Sequence, residues 1–228
     1  MDFHPASLPS VLAFRLIVAA VVAAFLWAVH RAYGRGRTLT ITLVLLFLWL
    51  GALSGLVASG RMSGLPFQGL PFFFGPILLI SAGAALSPFG GRIARAVPVA
   101  ALVGFQAFRL PLELVLHSWA AQGTIPGTMT WTGQNWDIVS GIAALLAAPF
   151  AGRYPGVARA ANIIGFALLI NVMRVAILSS PFPFGWGQQP PLLLALHLPY
   201  ALIGPVCVGG ALFGHIVLTR ALWRTRVE

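Results

Sequence analysis

Few residues of this chain could do chemistry, and one group of them shares a helical face. Arg109, Glu113 and His117 follow one another at intervals of four residues in the stretch FQAFRLPLELVLHSW. Because residues four apart lie on the same face of an α-helix, the three side chains would form a polar stripe. The stripe predicts either an internal ion pair between Arg109 and Glu113 or a surface that binds a polar ligand.

A second group follows the most polar loop of the chain, AQGTIPGTMTWTGQNW. The next stretch, DIVSGIAALL, places Asp137 and Ser140 one helical turn apart. Asp137 stands where a helix would begin, so its carboxylate is expected either to cap the first backbone N–H groups or to act as a base. Ser140 would be either a small packing residue or a nucleophile.

Two later segments add further candidates. Asn171 and Arg174 lie three residues apart in LLINVMRVAILSS and so share a helical face. Arg174 would either extend to the membrane surface or stabilise a developing oxyanion. In PPLLLALHLPYALIG, His197 would be a packing residue or a group that transfers protons. His215, near the end of the same apolar run, is expected at the opposite interface.

The composition predicts the elements that must position these residues. Of the 228 residues, 59% are hydrophobic and 8% are charged, against about 25% charged in soluble domains. With a mean hydropathy of +0.92, this predicts one all-α, polytopic transmembrane helical bundle over residues 1–228. A helix needs about 20 residues to cross a bilayer, so roughly seven spans are expected. They cover residues 10–29, 38–58, 69–88, 96–120, 137–152, 159–179 and 191–219.

The arginines predict the orientation of these spans. The chain has fourteen arginines, no lysine and a formal net charge of +10. Most arginines lie between the apolar runs, after alternate spans. This distribution is typical of cytoplasmic loops and not of a surface that binds nucleic acid. We expect the N-terminus outside and the C-terminus in the cytoplasm, with only Arg61 in an opposite loop. The cytoplasmic arginines would be Arg31, Arg35, Arg37, Arg92, Arg95, Arg153, Arg159, Arg220, Arg224 and Arg226.

Three arginines fall inside predicted spans, namely Arg15, Arg109 and Arg174. A charge at membrane depth costs about 2.5–3.5 kcal/mol even on the lenient insertion scale. Such side chains usually face the bundle interior and have a partner there. We therefore expect the polar candidates to meet in the outer leaflet.

The segments DIVSGIAALLA, INVMRVAIL and HLPYALIG resemble, in order and spacing, the three motif regions of the exosortase and archaeosortase family. The resemblance covers residues 137–204. It implies a polytopic membrane protein similar to transpeptidases that act on C-terminal sorting tails at the outer face. The matching positions are Ser140, Gly141, Asn171, Arg174 and His197.

One position departs from the family pattern. Val139 stands where the resemblance calls for the nucleophilic cysteine, and the single cysteine, Cys207, lies in the last span. Because valine has no nucleophilic atom, thiol catalysis is not expected. The stretch MTWTGQNWDIVSG is also similar to uncharacterised bacterial membrane proteins, so the expected location is the bacterial cytoplasmic membrane.

Three hypotheses of function remain. An enzyme would use Ser140 or Asp137 with His197 and Arg174, in a peptidase-like or transpeptidase-like reaction. A binding protein would hold the C-terminal tail of an envelope protein, or another anionic envelope component, with Arg174 and His197. A transporter would relay protons or ions through the Arg109 stripe and His197, and would need polar residues that continue towards the cytoplasm.

No cofactor is expected, because the chain has no phosphate-binding glycine motif and no cysteine cluster. Glu113 and His117, with Asp137 or His197, would be the only mixed set of metal ligands. We expect no metal. The partner that the composition predicts is the lipid bilayer.

Overall fold

The computed structural model describes residues 3–62 and 70–224, and this part of the chain is helical without any strand. The prediction of an all-α fold is therefore confirmed. Residue 69, at the start of the third predicted span, and Arg226 lie outside the described residues. The α-helices are α1 Leu8–Tyr33, α2 Arg37–Ala58, α3 Leu70–Leu86, α4 Pro88–Ala96, α5 Val99–Phe105, α6 Arg109–Ala121, α7 Ile138–Ala151, α8 Pro155–Ser179 and α9 Gly209–Arg224.

Five helical stretches of the described chain are long and apolar enough to cross a membrane. They are α1, α2, α8, the continuous stretch Val99–Ala121 and the stretch Tyr200–Trp223. A sixth span is possible if Phe74–Leu86 and Pro88–Ala96, which meet at 60°, count as one broken span. Helix α7 has only 14 residues. Several apolar helices thus fit an integral membrane protein, and the count of about seven and the orientation stay predictions.

The predicted span over residues 191–219 is wrong at its start. The first turn is a 3-10 helix at Leu194–Leu196, a second 3-10 turn follows at Tyr200–Ile203, and a π-helical turn at Gly204–Val208 precedes α9. Pro190, Pro191 and Pro199 explain the delay, because proline has no N–H for the helical hydrogen bond and restricts the residue before it.

One end of the bundle, here called the N-terminal end, collects the start of α1 and the ends of α6 and α8. Trp119 donates its indole N–H to Ser10 Oγ at 3.1 Å, and the Tyr200 hydroxyl accepts from the Ala6 N–H at 2.9 Å. The Trp119 ring also meets Phe14 and Tyr200 edge to face. These aromatic contacts bury the side chains that close this end.

The opposite end, here called the arginine-rich end, uses arginines to satisfy helix carbonyls. Arg220 Nη1 donates to the Ser87 carbonyl at 2.8 Å and also to the Ala85 carbonyl, at the end of α3. Arg92 Nε donates to the Ala32 carbonyl at the end of α1, at 3.1 Å. The last carbonyls of a helix lack partners within it and carry the negative end of its dipole, so a cation stabilises them.

Small residues let α7 approach its neighbours closely. Ser140, Ala144, Ala147 and Ala151 are all buried and recur at helical spacing. A Cβ atom built on Gly141 would lie 2.3 Å from the backbone nitrogen of Leu110, so only glycine permits this contact with α6. Close backbone approach through small residues is typical of helix contacts in membranes. It brings the start of α7 against Arg109.

Candidate functional site

Arg109 is the centre of the buried polar groups. It follows a 3-10 turn at Gln106–Phe108, and its side chain is fully enclosed, with a residue exposure of 1%. Its Nε donates to Asp137 Oδ2 at 2.6 Å, and its Nη2 donates to Asp137 Oδ1. A guanidinium that meets a carboxylate through two parallel bonds makes a strong and geometrically specific pair. The pair neutralises both buried charges.

This contact corrects the expectation of an ion pair between Arg109 and Glu113. The ion pair of Arg109 is with Asp137, on the facing helix α7. A carboxylate that approaches from a neighbouring helix can meet the planar guanidinium fork end on, which two side chains on one helical face do poorly. The close contact at Gly141 makes this approach possible.

Asp137 occupies the N-cap position of α7 but does not cap it, contrary to one of the two expectations. Its side chain makes no capping hydrogen bond. Its Oδ1 accepts instead from Arg109 and from the Ser140 hydroxyl, the latter at 3.1 Å. Its own backbone N–H donates to Asn135 Oδ1 at 3.2 Å. The carboxylate is thus fully engaged by side chains of the protein.

Glu113 lies beside this pair and is bound by Asn135. The Asn135 amide nitrogen lies 2.9 and 3.1 Å from the two carboxyl oxygens of Glu113, and both residues are buried. Asn135 also reaches the Met129 carbonyl at 3.1 Å, which fixes the polar loop before α7. Asn135 was not among the residues that the sequence pointed to, although it stands two positions before Asp137.

The polar groups continue from Arg109 towards the arginine-rich end. Arg109 Nη1 donates to the Gly165 carbonyl at 2.8 Å and lies 3.0 Å from His215 Nε2. Because a guanidinium can only donate, His215 Nε2 is the acceptor and its Nδ1 carries the proton. That proton is donated to Asn162 Oδ1 at 2.8 Å. The Asn162 amide donates in turn to the Thr219 hydroxyl at 2.7 Å.

His215 is therefore not at an interface, as the sequence suggested, but 1% exposed in the middle of the bundle. A Cβ atom on Gly165 would lie 2.6 Å from its ring, so the absence of a side chain at that position admits the histidine. Asn162, a polar residue in the apolar helix α8, was the one sequence signal for the group of His215, Asn162 and Thr219. We call the connected residues the polar network: Arg109, Glu113, Asn135, Asp137, Ser140, Asn162, His215 and Thr219.

The other predicted residues do not join the polar network. His117 stacks on Trp131, with ring centroids 4.2 Å apart, and its buried Nδ1 has no hydrogen-bond partner among the described residues. His197 stacks on Phe3 at 3.9 Å, and its partial burial lowers the pKa of its ring. In the described part of the chain, no hydrogen bond joins either ring to Ser140, whose hydroxyl donates to Asp137. The predicted single site is thus divided.

Arg174 and Asn171 form a separate pair at the N-terminal end. Arg174 is exposed, and its Nη2 and Nε donate to Asn171 Oδ1 at 3.0 and 3.3 Å. Asn171 donates to the Gln134 carbonyl at 2.9 Å, and the Trp186 ring lies 5.7 Å from the guanidinium. No carboxylate of the described residues pairs with Arg174. Arg15, also expected to face the interior, is exposed on α1.

The geometry around Ser140 does not suit nucleophilic catalysis. Ser140 is 2% exposed, and its hydroxyl donates to a carboxylate that the Arg109 guanidinium already holds. A serine nucleophile needs a free base and access to substrate. Val139, at the position of the expected cysteine, is 48% exposed and so faces away from the buried groups. No set of three His, Cys, Asp or Glu residues in the described chain could hold a metal ion.

Comparison with known proteins adds no further constraint. No protein-family profile, no curated protein and no solved structure matches this chain. The resemblance to exosortases and archaeosortases therefore stays a prediction that rests on residues 137–204.

Proposed function

We propose that this chain is an integral protein of the bacterial cytoplasmic membrane that binds an anionic group of an envelope component through Arg174, without catalysing a reaction. Arg174 carries the proposal because it is exposed, held in place and without a carboxylate partner among the described residues. An arginine at such a position can bind a carboxylate or phosphate through two donors.

The neighbours of Arg174 support a preformed site. Asn171 accepts from two nitrogens of the guanidinium and is itself fixed to the loop before α7, so the fork has a defined direction. Trp186 lies against the guanidinium and is partly exposed. Tryptophan is enriched where helices leave the hydrocarbon region. The ligand class is the C-terminal carboxylate of an envelope protein tail, or a phosphate at the same level of the membrane.

The orientation is part of the proposal. The positive-inside tendency would put the arginine-rich end in the cytoplasm and Arg174 outside. Cys207 is buried, so the chain without an added cysteine should not react with a labelling reagent. In intact cells, a membrane-impermeant maleimide should label Phe184→Cys, at the N-terminal end, and not Arg35→Cys. The reverse pattern would overturn the orientation.

Crosslinking tests the binding site. A photoreactive phenylalanine at position 186 should capture an envelope component in living cells, and Arg174→Ala should lower the yield at least about fivefold, because the charge-assisted bonds are lost. Arg174→Lys should keep part of it, since lysine offers a charge without the fork. Arg15→Ala is the matched control, as it removes another exposed span arginine.

The same assay separates binding from catalysis. Ser140→Ala should leave the captured component unchanged in amount and in mass. A crosslinked product whose mass or yield depends on Ser140 and not on Arg174 would overturn the proposal in favour of an enzyme.

The polar network favours a second candidate, transport of protons. It supplies the polar residues towards the arginine-rich end that this hypothesis required, and it ends at Thr219, which is exposed. Purified protein in liposomes with an internal pH dye would then dissipate an imposed pH gradient. Glu113→Gln and His215→Phe would each abolish that leak, and an equal leak in protein-free liposomes would reject this candidate.

A further inference from the structure

A partly enclosed apolar cavity of about 400 Å³ lies between α1, α2, α3, α5 and the last helical stretch. Val21 and Phe25 of α1, Leu46 and Trp49 of α2, and Ile80 and Phe213 supply much of its wall. Ser81 gives the only hydroxyl among the lining residues. A cavity with so few polar partners does not hold ordered water.

The cavity exists because α2 stands apart from the bundle. Val57 is the only residue of α2 that is buried, and this helix packs mainly on α1 and on the 3-10 turn Tyr200–Ile203. The π-helical turn at Gly204–Val208 adds Pro205 and Val206 to the lining. An apolar cavity of this size loses dispersion contacts on every wall when it is empty. Within a bilayer, the apolar material at hand to fill it is an acyl chain.

Two basic residues of α4 lie close in sequence to a residue that lines the cavity, outside the lining itself. Ile93 of α4 lines the cavity, and Arg92 and Arg95 are exposed on the same short helix. Arg92 is held over the Tyr33 ring, with 4.6 Å between the guanidinium carbon and the ring centroid, and it has no carboxylate partner in the described chain. Helix α4 lies at the arginine-rich end and meets α3 at 60°. A phosphate there would gain charge-assisted hydrogen bonds.

We propose that the cavity between α1, α2, α3, α5 and the last helical stretch binds one acyl chain of an anionic phospholipid, whose phosphate is held by Arg92 and Arg95 of α4. This site is distinct from Arg174 and does not depend on the function proposed above. The acyl chain fills the apolar cavity, and the two arginines make the site prefer an anionic headgroup.

Native mass spectrometry of the full-length protein tests this. The protein is released from nanodiscs that contain equal amounts of phosphatidylglycerol and phosphatidylcholine. We expect one retained lipid per chain, with phosphatidylglycerol in excess. Ala24→Leu fills the cavity from α1 and should lower retention at least about fivefold, because the added carbons take the place of the acyl chain. Ala23→Leu, exposed on the same helix and outside the lining, should retain the lipid.

A second pair of variants tests the headgroup. Arg92→Gln with Arg95→Gln should remove the excess of phosphatidylglycerol, whereas Arg31→Gln with Arg35→Gln lowers the net charge equally and should leave it. Glycerol phosphate, which has the headgroup chemistry without a chain, should not displace the lipid. Equal retention by Ala24→Leu and Ala23→Leu overturns the acyl-chain site. Displacement by glycerol phosphate would show a site for free phosphate alone. Circular dichroism of each variant confirms that it is folded.

Discussion

Helix α9 separates two regions that are packed in opposite ways. On one face, His215 and Thr219 join the polar network, where glycines admit the polar side chains at close range. On the other face, Phe213 and Val217 border an apolar cavity that α2 closes only loosely. A buried charge needs partners at fixed positions, whereas apolar contacts are non-directional. The polar region therefore requires close fitting, and the apolar region can leave room for a ligand.

The largest difference in stability between variants of the two regions should come from breaking the ion pair of Arg109 and Asp137. Arg109→Leu leaves Asp137 as an unpaired buried carboxylate, and we expect a loss of about 3–5 kcal/mol in the free energy of unfolding. Leu46→Ala, in the cavity wall, should cost about 1 kcal/mol or less, because its site is only partly buried. Unfolding in mixed micelles of increasing SDS fraction measures both.

The matching double variant is the control for this prediction. Arg109→Leu combined with Asp137→Leu removes both charges and should recover part of the lost stability, since no buried ion remains unpaired. If the double variant were no more stable than Arg109→Leu, the ion pair would not be the cause of the loss.

Glycine substitutions sharpen the comparison of packing. Gly141→Ala forces a Cβ atom against the backbone of Leu110, and overpacking of this kind costs about 1–3 kcal/mol. Gly51→Ala, on α2, meets nothing within 4 Å and should be neutral or slightly stabilising, as alanine favours helix. The same SDS titration measures the pair. Equal effects at both positions would show that α7 and α2 are packed alike.

Two serines provide a smaller test. Ser140→Ala removes one hydrogen bond to Asp137, which keeps its bonds to Arg109, so a loss of about 0.5–1.5 kcal/mol is expected. Ser81→Ala, in the cavity wall, should change stability by no more than about 0.5 kcal/mol. Thermal unfolding in detergent compares the two variants. A larger loss of stability from Ser81→Ala than from Ser140→Ala would contradict the conclusion that the polar region is the more closely fitted one.

The smallest effect lies outside both regions, at His197. Its lowered pKa means that the unfolded chain binds the proton more readily than the folded chain. Stability should therefore fall as the pH drops below the ordinary histidine value of 6.5, and remain unchanged above it. His197→Phe keeps a ring against Phe3 and should flatten this part of the profile of melting temperature against pH. A profile that keeps the same slope in His197→Phe would contradict this assignment.

The sequence allowed the helical class and most helix positions to be predicted, because long apolar runs depend on local composition. It also pointed to Arg109, Asp137 and Glu113, since charges are rare in such runs. It could not pair them. Whether Arg109 meets Glu113 or Asp137 depends on how closely α6 and α7 approach, and Gly141 decides that through a contact between helices.

Other parts of the site were hidden for the same reason. His215 was expected at an interface because it lies near the end of its apolar run, whereas its ring enters the bundle beside Gly165, a position where a side chain would collide with it. Arg174 and His197 were expected beside Ser140 because the predicted spans put all three in one leaflet. The depth of a residue in the membrane does not determine which side of the bundle its side chain faces. Arg174 contacts Asn171, His197 stacks on Phe3, and Ser140 donates to Asp137.

The bonds from Arg220 to the end of α3 have a consequence for biosynthesis. The donor and its Ala85 acceptor are 135 residues apart in the chain. The ribosome therefore synthesises α1 to α8 before it adds Arg220, whose guanidinium binds the end of α3. Until then, the Ala85 carbonyl at the end of α3 lacks its guanidinium donor. The contact between α3 and α9 therefore forms only after α9 has been synthesised, and a chain that stops before residue 220 should be degraded faster than one that includes it.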